Sequence, residues 1–311
     1  MDTSGQNSDE VESIADQTQL RAAQLSVSIK PNWREISAHT RDPRTDDRLA
    51  FHYNVERRLA QQLSRMNTAE RLRGYSEIYS SLFASIPDHP QHLRKSNGGY
   101  NAESQAKTLR KLAPAGCVFV EIGAGDAHTS LAMCRHVGRA IALDVSDAVA
   151  NDAAKPDHFA FVKIDGIHLP LETDSVDFVY SNQLMEHLHP DDAAAQLREI
   201  YRALTPAGAY YCVTPNALSG PHDVSKYFDD VPQGLHLKEY TYRELSALLK
   251  SVGFRRTRIV ISKRFLHFTV PAAIGIAFEK LILALRGASA PRPLLNRFLR
   301  GLLGIRMVAI K

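Results

Sequence analysis

The chain has 311 residues, of which 44% are hydrophobic and 23% are charged, so it can bury a sizeable core in one large domain or two modest ones. Its three cysteines, Cys117, Cys134 and Cys212, lie far apart and form no metal-spaced pair, which argues against a disulfide scaffold and for a reducing compartment. The acidic, polar N-terminus lacks the basic and apolar regions of a secretory signal, and we therefore expect a cytoplasmic protein.

The basic residues are concentrated toward the C-terminal end. Between Phe254 and Lys311 there are twelve Lys and Arg residues and one acid, Glu279, whereas the whole chain has a net charge of only +4. This segment therefore favours an anionic neighbour, such as a lipid surface or a phosphorylated substrate. A solvated basic face accounts for the same composition and is the alternative.

The N-terminal part of the chain predicts an irregular segment followed by a helical cap. Residues 1–45 are rich in polar residues and are expected to be disordered or irregular. In the predicted cap, residues 46–112, apolar residues recur at helical spacing over Asp46–Met66. A capping box, Asn-Thr-Ala-Glu, opens a second helix over about 67–85, and a third helix is predicted over Ala102–Leu112.

For residues 113–311 the sequence pattern predicts strands that alternate with helices. Five apolar runs of strand length are Cys117–Ile122, Ala140–Asp144, Phe159–Ile164, Val176–Ser181 and Ala209–Val213. Two further predicted strands, Arg256–Ser262 and Ile305–Lys311, flank a helical insertion at 264–304. Because such alternation builds βαβ units, we predict an α/β fold. Its expected form is a Rossmann-like, doubly wound, seven-stranded and mostly parallel sheet, with the N-terminal helical cap and a helical insertion before the last strand.

A glycine-containing turn follows the first predicted strand. The turn, Glu121–Gly125, lies where this strand passes into a helix, and its glycines let a ligand approach the backbone closely. The second strand ends in Asp144, whose carboxylate can accept both hydroxyls of a ribose, and the third leads to Asp165, beside which an adenine edge fits. The predicted cofactor-binding residues are Glu121, Gly123, Gly125, Asp144, Asp165 and Gly166.

The residue type at His128 distinguishes between two nucleotide cofactors that such a turn can bind. The dinucleotide fingerprint has a third glycine there, because the pyrophosphate of NAD requires a close approach of the helix. S-Adenosylmethionine carries no phosphate, so its site does not need that glycine. The pattern therefore favours adenosylmethionine over NAD, with Glu121 orienting the amino acid moiety through water or the backbone.

Further motifs extend this pattern, in order and at matching separations, across residues 117–253. The motifs are Val120–Asp126, Ala142–Ser146, Asp165–Leu171, Ser175–Ser181 with Met185–Leu188, and Arg198–Gly208. On these motifs the segment resembles the class I S-adenosylmethionine-dependent methyltransferase domain of the ubiquinone/menaquinone-biosynthesis type. The resemblance implies adenosylmethionine as cofactor and methyl transfer as the reaction, but no particular acceptor, since relatives methylate oxygen, nitrogen, sulfur and carbon. Ala127 departs from the pattern, because many relatives have a third glycine there.

Methyl transfer to a hydroxyl needs an aligned acceptor and a base at the rim of the sheet. His187 follows the fourth predicted strand, where relatives sometimes use a histidine as base; a capping or packing role is the alternative. His222 and His236 lie in the long loop 214–237 after the fifth strand. Because Asp223 can orient a loop histidine and hold its pKa near neutral, we expect the loop pair, more than His187, to supply the base.

The acceptor is expected to contact this loop and the helical cap. Asp223 and Lys226 of the loop, with Tyr75 and Tyr79 of the second cap helix, are the candidate substrate-binding residues. Loop-anchoring hydrogen bonds and a plain packing stripe are the respective alternatives. A divalent ion would suit the loop histidines and Asp223, but their spacing is unspecific, so no metal ligand is assigned.

The insertion 264–304 is apolar and basic. Its short apolar run, interrupted by the pair Glu279–Lys280, argues against a membrane-spanning helix. A basic amphipathic helix suits the surface of a membrane, and we treat the insertion as a candidate peripheral membrane contact. A lid over the acceptor, a dimer interface and packing against the sheet are the alternatives, and the oligomeric state does not follow from the sequence.

These features together predict O-methylation of a small-molecule acceptor such as a glycan or a lipid-linked sugar. The preference rests on the histidine-rich loop beside the basic, apolar insertion. Methylation of a quinone-like or polyketide aromatic is one alternative, and a non-catalytic cofactor-binding scaffold is another, which the intact Gly123, Gly125 and Asp144 argue against. No nucleic-acid substrate is expected, because Ser181–Leu184 stands where base-modifying enzymes carry an Asn-Pro-Pro-Tyr tetrad.

Overall fold

The structure, a computed structural model, describes residues 27–90, 102–146, 155–263, 266–286 and 303–311. The helices are α1 Trp33–Thr40, α2 Asp46–Arg65, α3 Thr68–Ser85, α4 Ala102–Leu109, α5 His128–Met133, α6 Pro190–Ala203, α7 Tyr242–Val252 and α8 Ala272–Arg286. The strands are β1 Val118–Ile122, β2 Arg139–Asp144, β3 Phe159–Lys163, β4 Val176–Asn182, β5 Leu204–Thr214, β6 Arg256–Lys263, β7 Leu266–Pro271 and β8 Ile305–Ile310. Residues 1–26 of the predicted irregular segment, and 264–265 and 287–302 of the predicted insertion, lie outside the described residues.

Eight strands form one mixed sheet in the order β3-β2-β1-β4-β5-β8-β6-β7. The first five are parallel, whereas β8 is antiparallel to both β5 and β6, and β7 is antiparallel to β6. The chain adds strands outward from β1 to β3, returns to the middle and adds β4 and β5 on the other side. The order therefore reverses between β1 and β4, and open α/β sheets bind ligands outside the carboxyl ends of the strands at such a point. The predicted Rossmann-like, doubly wound fold is confirmed.

The sheet has one strand more than the seven predicted. The additional strand, β7, lies in the segment expected to be a helical insertion and forms a hairpin with β6, from Lys263 opposite Leu266 to Arg258 opposite Pro271. Its side chains Leu-His-Phe-Thr-Val alternate with the two-residue period of a strand, a pattern that the high apolar content of the segment obscured. The helix of the insertion begins only at Ala272.

Helices cover both faces of the sheet because side chains of the central strands alternate between two cores. In β1, Phe119 points into one core and Val120 into the other. Phe119 stacks on Phe178 of β4 with ring centroids 6.2 Å apart, and α4 and α5 pack on this face. Helices α3, α6 and α7 cover the opposite face. Within the described residues, no helix has both the length and the hydropathy that crossing a membrane requires.

The N-terminal helices α2 and α3 form where the sequence predicts them. The side chain of Asn67 accepts a hydrogen bond from the backbone of Glu70, and the Glu70 carboxylate accepts one from the backbone of Asn67, which is the predicted capping box. Helix α2 turns a stripe that includes Leu49, Leu59 and Leu63 toward the rest of the protein. The proposed domain limits remain predictions.

Helix α1 was not predicted, and it lies within the segment expected to be irregular. Ser37 is its one buried residue, and only two large apolar side chains, Trp33 and Ile36, pack against the rest of the protein, so the apolar pattern is too short to reveal a helix. A contact with the loop after β5 holds it in place, since Thr40 Oγ1 lies 3.1 Å from the hydroxyl oxygen of Tyr227. Tertiary contacts of this kind are not encoded in local periodicity.

Candidate active site

The turn after β1 is fixed by hydrogen bonds to the end of β2. The backbone N–H groups of Gly123 and Ala124 donate to the carbonyl of Leu143, at 2.8 and 3.1 Å. That of Gly125 donates to Asp144 Oδ2 at 2.7 Å. Gly123 and Gly125 have φ angles of +71° and +54°, in the left-handed region that glycine adopts without a steric penalty. The predicted glycine turn is therefore held directly beside Asp144.

Ala127 has a left-handed backbone at the position where the resemblance led us to expect glycine. Its φ angle is +57°, a conformation that costs a residue with a Cβ roughly 1–2 kcal/mol. Its N–H donates to the carbonyl of Ala124 at 2.9 Å, and its methyl group is buried. The hydrogen bonds and packing of the turn, more than the local preference of alanine, therefore fix this backbone.

Glu121 lies below the turn and is 3% exposed. Its Oε2 accepts hydrogen bonds from the backbone N–H and the hydroxyl of Ser130, at 3.0 and 2.5 Å. Burial raises the pKa of Glu121 to about 8, although both hydrogen bonds from Ser130 favour the charged form. Glu121 thus ties β1 to the first turn of α5, and this bond spans the glycine turn between them.

The geometry beside Asp144 fits the predicted cofactor. Its Oδ1 accepts a hydrogen bond from the backbone of Ser146 at 3.0 Å, which fixes the carboxylate at the end of β2. A Cβ placed on Gly125 would have no atom within 4 Å, so the backbone of the turn borders open space next to this carboxylate. A glycine backbone that borders open space, beside a carboxylate held in place by a hydrogen bond, suits the ribose and the amino acid arm of adenosylmethionine.

Asp165 and Gly166 form a tight turn after β3. Asp165 Oδ1 accepts hydrogen bonds from the backbone of Ile167 at 2.9 Å and of His168 at 2.8 Å, while His168 Nδ1 lies 2.6 Å from Oδ2. Gly166 has a φ angle of +100°, and a Cβ there would lie 3.3 Å from the ring of Tyr75. The side chain of Asp165 therefore shapes its own turn, and its predicted role beside the adenine remains a prediction.

The hydroxyl of Tyr75 links α3 to α6. It donates to Asp192 Oδ2 at 2.7 Å and accepts from the backbone N–H of His189 at 3.1 Å. Arg71 makes two further bonds to the same buried carboxylate, both at 2.6 Å. The hydroxyl of Tyr75 thus serves to dock the helical cap, and its predicted contact with the substrate remains a prediction.

Four polar side chains meet beyond the carboxyl end of β4. Tyr79 comes from α3, Glu186 and His187 from the 3₁₀ helix Met185–His187, and His236 from the loop after β5; together we call them the acceptor-side cluster. The ring centroid of His187 lies 5.9 Å from that of Tyr79 and 4.9 Å from that of His236. The structure thus brings two of the three predicted catalytic histidines together.

The acceptor-side cluster adjoins the glycine turn. Leu184, which directly precedes the 3₁₀ helix, has its side chain 3.1 Å from where a Cβ of Gly123 would lie. The hydroxyl of Tyr79 is buried and has no hydrogen-bond partner among the described residues. Burial, followed by the repulsion of nearby acidic groups that include Glu186 and Asp144, raises the pKa of Tyr79 well above its ordinary value. Tyr79 therefore lies within electrostatic reach of both the cofactor carboxylate and the cluster.

His187 is held as a neutral imidazole. Its Nδ1–H donates to the carbonyl of Leu235 at 3.0 Å. Burial, followed by the repulsion of His236, lowers the pKa of His187 to about 3. Nδ1 therefore carries the ring proton, and Nε2 is the acceptor nitrogen.

Glu239, and not Asp223, is the carboxylate that orients the loop histidines. Its Oε1 lies 2.7 Å from His236 Nδ1, and its Oε2 lies 3.0 Å from His222 Nδ1. The remaining ring nitrogen of His222 lies 3.2 Å from Ser219 Oγ. Although burial opposes it, the hydrogen bond with Glu239 raises the pKa of His236 to about 9. The expected loop base with a near-neutral pKa is therefore not found at His236.

Asp223 and Lys226 have structural partners within the loop. Asp223 caps the 3₁₀ helix Val224–Tyr227 by accepting from Ser225, and its Oδ2 accepts from the backbone of Gly234 at 3.0 Å. Burial raises the pKa of Asp223 to about 6. The ammonium group of Lys226 lies 5.0 Å from the centroid of the Tyr227 ring. Their predicted contacts with the acceptor remain predictions.

Three residues of this site were not predicted: Glu56, Glu186 and Glu239. Glu56 of α2 accepts a hydrogen bond from the backbone of Leu235 at 3.1 Å, which joins the helical cap to the loop. Glu186 precedes His187 within the motif that carried the resemblance, and Glu239 lies three residues after His236, so both had a local signal. No local sequence signal marked Glu56, because α2 and the loop come together only in the folded protein.

Comparison with known proteins supports the prediction made from the motifs. Residues 120–212 match a family described as a methyltransferase domain. A curated protein of Mycolicibacterium smegmatis (strain ATCC 700084 / mc(2)155), named "Probable S-adenosylmethionine-dependent methyltransferase/", is 32% identical over 146 residues, which are 45% of this chain and 52% of that protein. The chain thus spans about half the length of the curated relative it matches.

Solved methyltransferase structures also resemble the chain. One from Archaeoglobus fulgidus is 19% identical, covers 72% of this chain and 100% of its own, and has a TM-score of 0.45. One from Mesorhizobium loti is 18% identical, covers 68% of this chain and 98% of its own, and also has a TM-score of 0.45.

The family match and the motifs at the ends of β1, β2 and β4 together show that the chain carries a class I S-adenosylmethionine-dependent methyltransferase domain, with S-adenosylmethionine as its cofactor.

Proposed function

We propose that this protein transfers the methyl group of S-adenosylmethionine to a hydroxyl group of a polar small molecule, with a glycan or a lipid-linked sugar as the preferred acceptor class. The observation that carries this proposal is the acceptor-side cluster, which places two imidazoles, a carboxylate and a phenol next to the glycine turn. A quinone-like acceptor would leave most of these polar groups without partners, whereas the hydroxyls of a sugar can pair with them.

On the donor side, the protein holds the cofactor and keeps it in one orientation. Asp144 would accept the ribose hydroxyls, and the backbone of Gly125 would border the amino acid arm. Glu121 maintains the turn by its bonds to Ser130. Adenosylmethionine supplies a methyl group on a sulfonium, which is a good leaving group, so alignment of the acceptor oxygen with that methyl group is the main task of the protein.

On the acceptor side, no single histidine among the three predicted bases is well suited to remove a proton. Both ring nitrogens of His222 have partners, His236 has a pKa of about 9, and His187 has a pKa of about 3. A general base is most effective when its pKa lies near the working pH. We therefore propose that the acceptor-side cluster acts as a unit that binds and polarises the hydroxyl.

A survey of acceptors tests this proposal. The full-length protein would be incubated with adenosylmethionine and a panel of sugars, lipid-linked sugars and hydroxylated aromatics, and the products analysed by mass spectrometry for one added methyl group. We expect transfer to a sugar hydroxyl. Faster transfer to an aromatic, or transfer to an amine or a thiol, would contradict the proposed acceptor class.

The second part of the proposal is that β7 and α8 contact an anionic lipid surface. Apolar side chains exposed there are Leu266, Phe268, Ile274, Phe278, Leu281 and Leu283. Three of them, Ile274, Phe278 and Leu281, follow the spacing of one helical face, and exposed apolar side chains so grouped mark interaction surfaces. The basic residues of this segment would add attraction to anionic headgroups.

The single acid of this basic segment points into the protein. Glu279 is 3% exposed and accepts hydrogen bonds from Asn216 Nδ2 at 2.8 Å and from the backbone N–H groups of Tyr242 and Arg243 at 2.6 and 3.2 Å. A carboxylate at the N-terminal end of α7 is favourable for the helix dipole. Glu279 therefore docks α8 and does not add negative charge to its exposed side.

A further inference from the structure

We propose that Glu186, His187 and His236 bind a divalent transition-metal ion. One potential ligand atom of each residue lies within 4.8 Å of those of the other two. Binding of the ion does not depend on the proposed function, whereas its role in catalysis rests on it. Three further observations support the site. They are the hydrogen bond at Nδ1 of each imidazole, the buried Glu186 oxygen that has no partner among the described residues, and the comparison with the group of His52, Glu56 and His89.

Both imidazoles are oriented through Nδ1. His187 donates to the carbonyl of Leu235 at 3.0 Å, and His236 Nδ1 lies 2.7 Å from the carboxylate of Glu239. A histidine that ligates a metal usually donates its other ring N–H to a backbone carbonyl or a carboxylate, which fixes the tautomer and the ring. The two nitrogens left for an ion are therefore the Nε2 atoms.

Glu186 offers a carboxylate oxygen that needs a partner. The side chain is 0% exposed, and its Oε2 accepts a hydrogen bond from Thr214 Oγ1 at 2.8 Å. Its Oε1 is buried and has no hydrogen-bond partner among the described residues. Burying a carboxylate oxygen without a partner is costly, and a cation at this point would satisfy it.

A second group of two histidines and one glutamate differs from this site, because a neighbouring arginine supplies its positive charge. His52, Glu56 and His89 also place potential ligand atoms within 4.8 Å of one another. There, however, Arg44 Nη1 donates to His52 Nδ1 at 2.5 Å, His52 Nε2 lies 2.6 Å from Glu56 Oε1, and Glu56 Oε2 accepts from the backbone of Leu235. A guanidinium already supplies the positive charge, so this group needs no ion.

Two imidazoles and one carboxylate suit Zn²⁺ and other first-row divalent ions, whereas Mg²⁺ and Ca²⁺ prefer oxygen ligands. Three protein ligands leave a coordination position open, as in catalytic zinc sites. An acceptor hydroxyl at that position would lose its proton to solvent more readily. Its oxygen would then attack the methyl carbon, the carbon–sulfur bond would break with its electron pair left on sulfur, and S-adenosylhomocysteine would be released.

Metal binding can be measured without any acceptor. Full-length protein stripped with a chelator would be titrated with Zn²⁺ and with Mg²⁺ by calorimetry, and with Co²⁺ by visible absorption, which reports nitrogen ligation. We expect one tight Zn²⁺ site per chain, Co²⁺ absorption bands and weak or absent Mg²⁺ binding. Glu186→Gln and His236→Ala should each lower the Zn²⁺ affinity by about 10–100-fold or more, the loss typical even of residues that only support a ligand.

The matched controls are Glu172→Gln and His39→Ala, which change exposed residues of the same types. Adenosylmethionine affinity, measured on every variant, shows that the fold is retained. Absence of Zn²⁺ binding by the wild type, or equal affinity in Glu186→Gln, His236→Ala and the controls, would overturn the proposal. So would Zn²⁺ binding that is lost only when His52 or His89 is replaced.

Different experimental results would contradict the proposed function and the proposed metal site. Sugar methylation that persists after chelation, in a protein that binds no Zn²⁺, would overturn the metal site and leave the function. Zn²⁺ binding that depends on Glu186 and His236, with transfer only to non-hydroxyl acceptors, would retain the site and overturn the function. Restoration of sugar methylation by Zn²⁺ after chelation supports both.

Discussion

Glu56 of α2 and Leu235 of the loop after β5 are joined by a hydrogen bond of 3.1 Å, from the backbone of Leu235 to the buried carboxylate. The carbonyl of the same Leu235 accepts from His187 Nδ1. One peptide segment thus connects the N-terminal helical cap to a histidine at the rim of the sheet. The position of the acceptor-side cluster therefore depends on the cap as well as on the methyltransferase domain.

Replacement of Gly234 tests this connection. A Cβ at Gly234 would lie 2.3 Å from Glu56 Oε2 and 2.7 Å from Asp223 Oδ2, so the loop would have to move. We expect Gly234→Ala to lower stability by about 1–3 kcal/mol. Because small misplacements of reacting groups are costly, methyl transfer should fall by about tenfold or more. Thermal unfolding and turnover at saturating adenosylmethionine would measure the two effects.

Gly74→Ala is the matched control for that variant. A Cβ at Gly74 would make an ordinary contact with the sulfur of Met66 at 3.4 Å, and alanine favours the helix by up to about 1 kcal/mol. Turnover should therefore stay at the wild-type level. Equal turnover in both glycine variants would show that the contact with Glu56 does not position the cluster.

Asp144 should contribute strongly to cofactor affinity. Its carboxylate accepts from the backbone of Gly125 and is expected to accept from the ribose, and a hydrogen bond to a charged group is worth about 1.5–3 kcal/mol. Asp144→Ala should weaken adenosylmethionine binding by about tenfold or more in calorimetry, with Asp157→Ala, which changes an exposed acid, as the control. Unchanged affinity in Asp144→Ala would refute its assignment to the ribose.

Glu121 should make the free energy of unfolding depend on pH. Burial raises its pKa from 4.5 to about 8, so between these values the folded chain holds a proton that the unfolded chain releases. Stability should therefore fall as the pH rises from about 4.5 to about 8. Glu121→Gln should reduce this fall in urea unfolding at about pH 5 and about pH 8, whereas exposed Glu172→Gln should not. A pH dependence identical in wild type and Glu121→Gln would mean that the carboxyl group titrates normally.

The proposed lipid contact predicts binding to vesicles that depends on both charge and exposed apolar side chains. Wild-type protein should co-sediment with anionic vesicles at low salt and dissociate as salt increases, because screening weakens the attraction of basic residues. Phe278→Asp changes a side chain that is 41% exposed, so it should abolish co-sedimentation without altering adenosylmethionine affinity. Equal binding to neutral vesicles, or none at low salt, would favour a lid or a dimer interface instead.

The three predicted histidines should differ in their importance for turnover. We expect His187→Ala and His236→Ala to lower turnover by roughly 100-fold or more, with cofactor affinity retained. His222→Ala should cost less, because the carboxylate of Glu239 lies between His222 and His236 of the cluster. Near-wild-type turnover in all three variants would mean that the cluster does not bind or polarise the hydroxyl and that alignment alone drives the reaction.

The fold and the cofactor side of the site were predictable because their signals are local. Glu121, Asp144 and Asp165 lie at or within two residues of the carboxyl ends of β1, β2 and β3, which share one rim of the sheet, so their order in the chain maps directly onto the structure. Strand β7 was misread because apolar content predicts burial without distinguishing a strand from a helix. Helix α1 was missed because its contact with Tyr227 lies far away in the sequence.

The acceptor side was only partly predictable, since it is built from separate parts of the chain. His187 and His236 were identified as candidates, but Asp223 was taken as their partner because it lies nearest to His222 in sequence. The structure uses Glu239, which reaches both His222 and His236, while Asp223 caps a short helix. The buried Glu56 could not be inferred, because no periodicity or motif marks a charged residue that pairs across the fold.

The docking of α8 sets how far a membrane-bound acceptor would have to extend. Glu279 of α8 accepts from Asn216, and Thr214, two residues earlier at the end of β5, donates to Glu186 of the acceptor-side cluster. The exposed apolar side chains Ile274, Phe278 and Leu281 lie on the same helix as Glu279. Under the proposed lipid contact, the lipid surface would therefore lie about one helix diameter, roughly 10 Å, from this link to the cluster, and a lipid-linked acceptor with a short headgroup would suffice.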